Sequence, residues 1–134
     1  MKKVDEILAE LKMTKAIMNE DLSGHDFTGA DFSGCAFASI DFSECNLAGA
    51  TFESSQLMNC NFKNANLTGV SFVSSQWFEP DFENCILDNL DLRGATIMKA
   101  KVFGASLYGE RLSTCLFSEV VFKDVTLHGK IERL

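Results

Sequence analysis

Ala30-Asp31-Phe32-Ser33-Gly34 and Ala65-Asn66-Leu67-Thr68-Gly69 share one pattern: a small residue, an Asp or Asn, a large apolar residue, a hydroxyl residue and a glycine. Stepping outward from Phe32 in fives gives Leu22, Phe27, Phe37, Phe42, Leu47, Phe52, Leu57, Phe62, Leu67, Phe72, Trp77 and Phe82. The series goes on through Leu87, Leu92, Ile97, Val102, Leu107, Leu112, Phe117 and Phe122 to Leu127, which makes twenty-two consecutive apolar centres without an insertion. Nineteen of them are Leu or Phe, so chance is not the explanation. Two residues before each centre the chain favours small side chains, among them Ala30, Cys45, Ala50, Ser55, Cys60 and Ala95. The residue just before the centre is usually Asp or Asn, and Gly, Asn or Ser recurs two residues after it.

A period of five suits neither an α-helix nor a straight strand. At 100° per residue, every fifth helical side chain is rotated by about 140°, so no stripe forms. Along a strand an odd period sends successive centres to opposite faces. All centres face inward only if the chain turns a corner once per repeat, which Gly, Asn and Ser tolerate. The expected fold is therefore an all-β solenoid whose coils hydrogen-bond to the coils above and below.

The A(D/N)LxG motif resembles the pentapeptide-repeat family over residues 20–129. That resemblance implies a right-handed quadrilateral β-helix with four pentapeptides per coil, here about five and a half coils. Some members of the family are similar to duplex DNA in shape and charge and protect DNA gyrase from quinolones. This chain departs from those members in having no loop that interrupts the repeats, no long C-terminal dimerisation helix and basic last coils.

Before the repeats, residues 1–19 are expected to form a capping helix, with Val4, Ile7, Leu8, Leu11 and Met18 along one face. Residues 20–129 form the β-helix and 130–134 a short tail. At the far end, either Ile131 and Leu134 fold over the last coil or two chains meet there as a homodimer.

The chain has 134 residues, 46% of them apolar and 23% charged, enough for one packed domain. Its net charge of −7 is uneven: residues 20–92 hold twelve carboxylates against Lys63 alone, while 93–134 are net basic. The acidic coils are expected to repel nucleic acid directly and to attract basic partners. The N-terminal stretch lacks the apolar run of a secretory signal, and no segment is long enough to span a membrane, so the expected location is cytoplasmic. There the five cysteines, all in the small inward slot, are expected to be buried and reduced. Cys45 and Cys85 share a column two coils apart, about 10 Å, beyond the reach of a disulfide.

No CxxC pair, no triad around His25 or His128 and no glycine-rich phosphate loop is present, so no metal, cofactor or catalytic residue is expected. The register instead exposes two surfaces. With four repeats per coil, Ala38, Met58, Phe78, Met98 and Ser118 form an outward column beside Ala36, Gln56, Gln76, Thr96 and Leu116. This face is nearly uncharged and reads either as ladder packing between coils or as a protein contact patch. Around the corner, Asp21, Asp41, Asn61 and Asp81 stand in column with Glu44 and Glu83 nearby, a solvated face or an acidic binding surface. At Trp77 and Pro80 a large centre meets a rigid neighbour, and a bulge there would exchange Trp77 with Phe78. The reading that follows is a non-catalytic protein–protein interaction module, with a gyrase-protecting DNA mimic as the alternative.

Overall fold

The computed structural model describes residues 3–108 and 111–129. An N-terminal helix, α1 (Val4–Thr14), leads directly into a solenoid. One side of each coil carries a three-residue strand: β1 (Ala16–Met18), β2 (Ala36–Ala38), β3 (Gln56–Met58), β4 (Gln76–Phe78), β5 (Thr96–Met98) and β8 (Leu116–Ser118). They form one six-stranded parallel sheet in that order, each residue opposite the one twenty positions on. Two further sides pair as β6 (Lys101–Phe103) with β9 (Val121–Lys123) and β7 (Ser106–Tyr108) with β10 (Thr126–His128). Elsewhere single bridges do the same work, as in Asp21–Asp41–Asn61–Asp81–Lys101 and Asp31–Thr51–Ser71–Asp91. Twenty residues per coil and five per side make the closed coil expected from the repeat and the quadrilateral β-helix implied by the family resemblance, in about six turns.

The corners explain the residues found there. In the commoner corner the N–H of the small residue donates to the carbonyl of the preceding centre, as from Ala30 to Phe27 at 2.9 Å. The third residue of that turn, Gly29, sits at φ 68°, the left-handed conformation that a turn of this kind requires and that glycine adopts without strain. The N–H of the corner residue also continues the ladder to the next coil, from Gly29 to Ala48 O at 2.9 Å and, after the six-stranded sheet, from Ser39 to Met58 O at 2.8 Å and Glu79 to Met98 O at 2.9 Å. Pro80, with no N–H to donate, stands just after such a corner, where its side chain fills the small inward slot.

The centres do converge on the axis. All nineteen from Leu22 to Leu112 are at most 5% exposed and belong to one core cluster. Aromatic centres stack from coil to coil, with Phe42 over Phe62 at 5.0 Å and Phe32 over Phe52 at 4.9 Å between ring centroids. Around each coil they meet edge to face, as Phe37 does with Phe42 at 5.6 Å. The five free cysteines are all buried. The Cys85 thiol reaches back one coil to Phe62 O at 2.7 Å, and burial pushes its pKa up to about 12, so it is held as an unreactive thiol.

The helix is shorter than expected, and the solenoid starts one repeat earlier. Lys15 ends α1 in a left-handed cap whose N–H bonds Leu11 O at 2.9 Å. Ile17 then takes the first centre position, 6% exposed, opposite Phe37. Met18 therefore lies on no helical face: it points outward from β1 and is 63% exposed. Pairing Ala16–Met18 with β2 satisfies backbone groups that would otherwise end the sheet as a bare edge. Ile7 and Leu11 still bury against the first coil with Val4 and Leu8 beside them, as a cap should.

At the other end burial fails. Phe117 is only partly buried, Phe122 is 43% exposed and Leu127 52% exposed. The expectations for Ile131 and Leu134, and for a tail over this coil, fall outside the described residues.

Candidate interaction surface

Parallel pairing without a bulge settles which side chains of the six-stranded sheet face out. Trp77 is 1% exposed and stands in register between Leu57 and Ile97. Its indole Nε1–H donates to Ser75 Oγ at 2.6 Å, and that hydroxyl donates to Phe72 O at 2.5 Å. The largest side chain of the core is thus held with its one polar atom satisfied, and Trp77 and Phe78 do not exchange places. Phe78 consequently points outward.

The outward column runs Met18, Ala38, Met58, Phe78, Met98, Ser118, each the Cα partner of the next. Met58 is 51% exposed and Met98 38%, while Ala38 and Phe78 are half-buried. Leu116, 60% exposed, ends the parallel column Ala36, Gln56, Gln76, Thr96. Between the two columns lies a shallow groove of about 270 Å³ lined by Gln56, Leu57, Met58, Gln76, Trp77, Phe78 and Met98. The Lys99 ammonium lies 5.4 Å from the Phe78 ring centroid, a cation–π contact that covers part of its upper face. The five expected contact residues therefore share one face. Met18, which belongs with them, was hidden because the period was not carried back from Leu22 to Ile17.

The acidic candidates also gather on one side, but their chemistry is largely local. Asp21 Oδ1 accepts from Ser23 N–H at 2.9 Å and from its hydroxyl at 2.6 Å. Asp26 does the same with Thr28, and Asp31 with Ser33. Asp41 accepts from Ser43 N–H at 2.8 Å and Asp81 from Glu83 N–H at 3.0 Å. An acceptor at this place clamps the turn that follows, which is why Asp or Asn recurs before the centres. Glu44 takes a corner at φ 59° and is exposed, as is Glu83. Lys63 bridges Asp81 and Glu83 at 3.6 and 3.5 Å, interrupting the run of negative charge.

Those clamps carry a pH dependence. Hydrogen bonds from the Ser or Thr hydroxyl and then the backbone hold Asp21, Asp26 and Asp31 below the ordinary carboxylate range. Because the folded state lowers these pKa values, their stabilisation is complete above roughly pH 4 and is lost as pH falls through the folded values. The urea midpoint is expected to drop between pH 5 and pH 3, and to drop less in Asp21→Asn/Asp26→Asn/Asp31→Asn. Equal drops in both proteins would show that the clamps do not titrate with folding.

One charged cluster was missed by the sequence reading. Asp91, 7% exposed, accepts from Arg93 Nε and Nη2 at 2.9 and 2.6 Å, and Arg111 Nη1 approaches from the next coil at 3.4 Å. Burial raises its pKa, but the bonds from Arg93 and the two guanidinium charges outweigh that and leave it lowered. The signal was available, since Arg111 follows Asp91 by one coil of twenty. Among the described residues no group of three His, Cys, Asp or Glu side chains is placed to hold a metal. No described helix is long and apolar enough to cross a membrane.

A solenoid of five-residue sides with inward Phe and Leu centres defines a class of repeat protein. The "Pentapeptide repeat region" family model matches residues 25–97, and the chain belongs to the pentapeptide-repeat family. No curated protein matches it. Among solved structures it is similar to the pentapeptide repeat protein Rfr23 from the cyanobacterium Cyanothece 51142, at 17% identity over 92% of this chain and 98% of that one, with a TM-score of 0.76. It is also similar to alr5209, a pentapeptide repeat protein from Nostoc Pcc 7120, at 16% identity over 93% and 95% of the two chains, with a TM-score of 0.51. At such identities the likeness speaks for the fold alone.

Proposed function

We propose that this chain is a non-catalytic interaction module whose binding surface is the uncharged face of the six-stranded sheet. The observation that carries the reading is the column Met18, Met58, Phe78 and Met98, set outward on a continuous sheet whose floor is immobilised by Leu57, Trp77 and Ile97. Contiguous apolar side chains in solvent are costly to leave uncovered, and methionine adapts its shape to a partner. A rigid floor lowers the ordering cost of binding.

The alternative, an acidic surface that stands in for DNA and protects DNA gyrase from quinolones, draws less support. Asn61 breaks the Asp21–Asp41–Asp81 column, Lys63 neutralises its upper part, and an oxygen of each of those Asp side chains is committed to its own turn.

Affinity capture from native lysate tests the choice. Phe78→Asp is expected to lose the proteins retained by the unaltered chain, with its β circular dichroism unchanged. Asp41→Lys/Asp81→Lys is expected to keep them. The reverse outcome would transfer the binding surface to the acidic side.

A further inference from the structure

The surroundings of the apolar column point to the kind of partner it receives. We infer that it docks an amphipathic α-helix, laid along the solenoid axis, whose basic flank lies over the acidic side; this rests on the interaction-face reading above.

Secondary structure comes first. The column crosses the strands at right angles, and the backbone groups of β2 to β5 are already paired with the strands above and below. An extended peptide on this face would find no ladder to join and would leave its own N–H and C=O groups against Met and Phe side chains. An α-helix satisfies its backbone internally and offers only side chains. The pitches also agree. Coils repeat at about 4.8 Å, and helix positions i, i+4, i+7 and i+11 recur about every 5.4 Å, so three to four contacts stay in step along the groove. From β1 to β8 the face is roughly 24 Å long, the length of about sixteen helical residues.

Charge then sets the orientation. On one flank the charges balance: round that corner Asp31, Glu53 and Asp91 stand with Lys15, Arg93 and Arg111. Round the opposite corner lie Asp21, Asp41, Glu44, Glu79, Asp81 and Glu83, opposed on that side by Lys63 alone among the residues below Lys99. Lys99 and Lys101 end that acidic run one coil further on, so the negative flank borders the Met18–Phe78 half of the column. A helix with Leu-type residues on the groove and Lys or Arg along one edge matches both features.

The test uses two designed eighteen-residue helical peptides with an identical leucine stripe, one flanked on one edge by Lys and the other by Glu. Each is titrated into the full chain labelled on its methionine methyl groups and backbone amides, and followed by NMR. The Lys peptide is expected to shift the Met18, Met58 and Met98 methyl signals saturably, leaving the Thr68 and Asp88 amides on the opposite side unmoved. The Glu peptide is expected to bind at least tenfold more weakly. Phe78→Asp should weaken the Lys peptide at least tenfold although it adds negative charge, which separates docking from simple attraction. Equal affinity for both peptides, or shifts confined to the acidic side, would overturn the proposal. If neither peptide binds while Phe78→Asp still releases captured protein, the helical partner is wrong and the interaction face stands.

Discussion

Replacing Trp77 by Ala is expected to lower stability by about 3–5 kcal/mol, the range for removing a large buried aromatic. The ring touches four others, Phe52, Phe62, Phe72 and Phe82, with the Phe72 centroid only 4.3 Å away. It also lines an apolar cavity of about 20 Å³ that continues toward Ile97, Val102 and Leu107, where the centres shrink from Phe to aliphatic residues. Truncation would merge with this void rather than be filled by neighbours, which places the cost toward the upper end. Trp77→Phe, which keeps most of the volume but removes the donor to Ser75, should cost about 1–2 kcal/mol. Urea unfolding followed by circular dichroism measures both. Near-equal losses for the two variants would mean that packing volume is not what holds this coil.

The second large effect contrasts the middle of the rod with its last coil. Phe52→Ala is expected to cost about 3–5 kcal/mol, and Leu127→Ala less than about 1. Phe52 is fully buried and meets rings of its own coil and of the coils on both sides, among them Phe32, Phe42 and Phe72. Leu127 is 52% exposed, with β10 paired on the β7 side. Because a solenoid is a chain of nearest-neighbour interfaces, these losses should appear as different midpoints for different parts of the rod. Hydrogen exchange would show the same order, with the Phe52 amide more protected than that of Thr126. A Leu127→Ala loss as large as that of Phe52→Ala would mean that the last coil is covered in solution.

Much of this architecture was legible in the chain because a strict period converts position into direction. Once Phe37, Leu57, Trp77, Ile97 and Phe117 are placed inward at intervals of twenty, Met58, Phe78 and Met98 must be neighbours facing out. Other features depend on balances that a period does not encode. The end of α1 was set by the left-handed cap at Lys15, a residue with no particular preference for that role. That Trp77 rather than Phe78 lies inside is a matter of packing: its ring sits among Phe52, Phe62, Phe72 and Phe82, and Ser75 accepts from its indole. The acidic column was found, but its meaning changed once Asp21 and Asp41 were seen clamping their own turns.

The ladder of residues twenty apart also bears on how the chain assembles. In most β-folds the sequence distance spanned by pairing grows with size, and so does the entropy lost in closing each loop. Here every new side closes a loop of the same twenty residues onto a finished edge, beginning beside the buried Ile7 and Leu11. The sixth turn is therefore no harder to add than the second, and the rod can zip upward from its helix while the rest of the polypeptide is still being made.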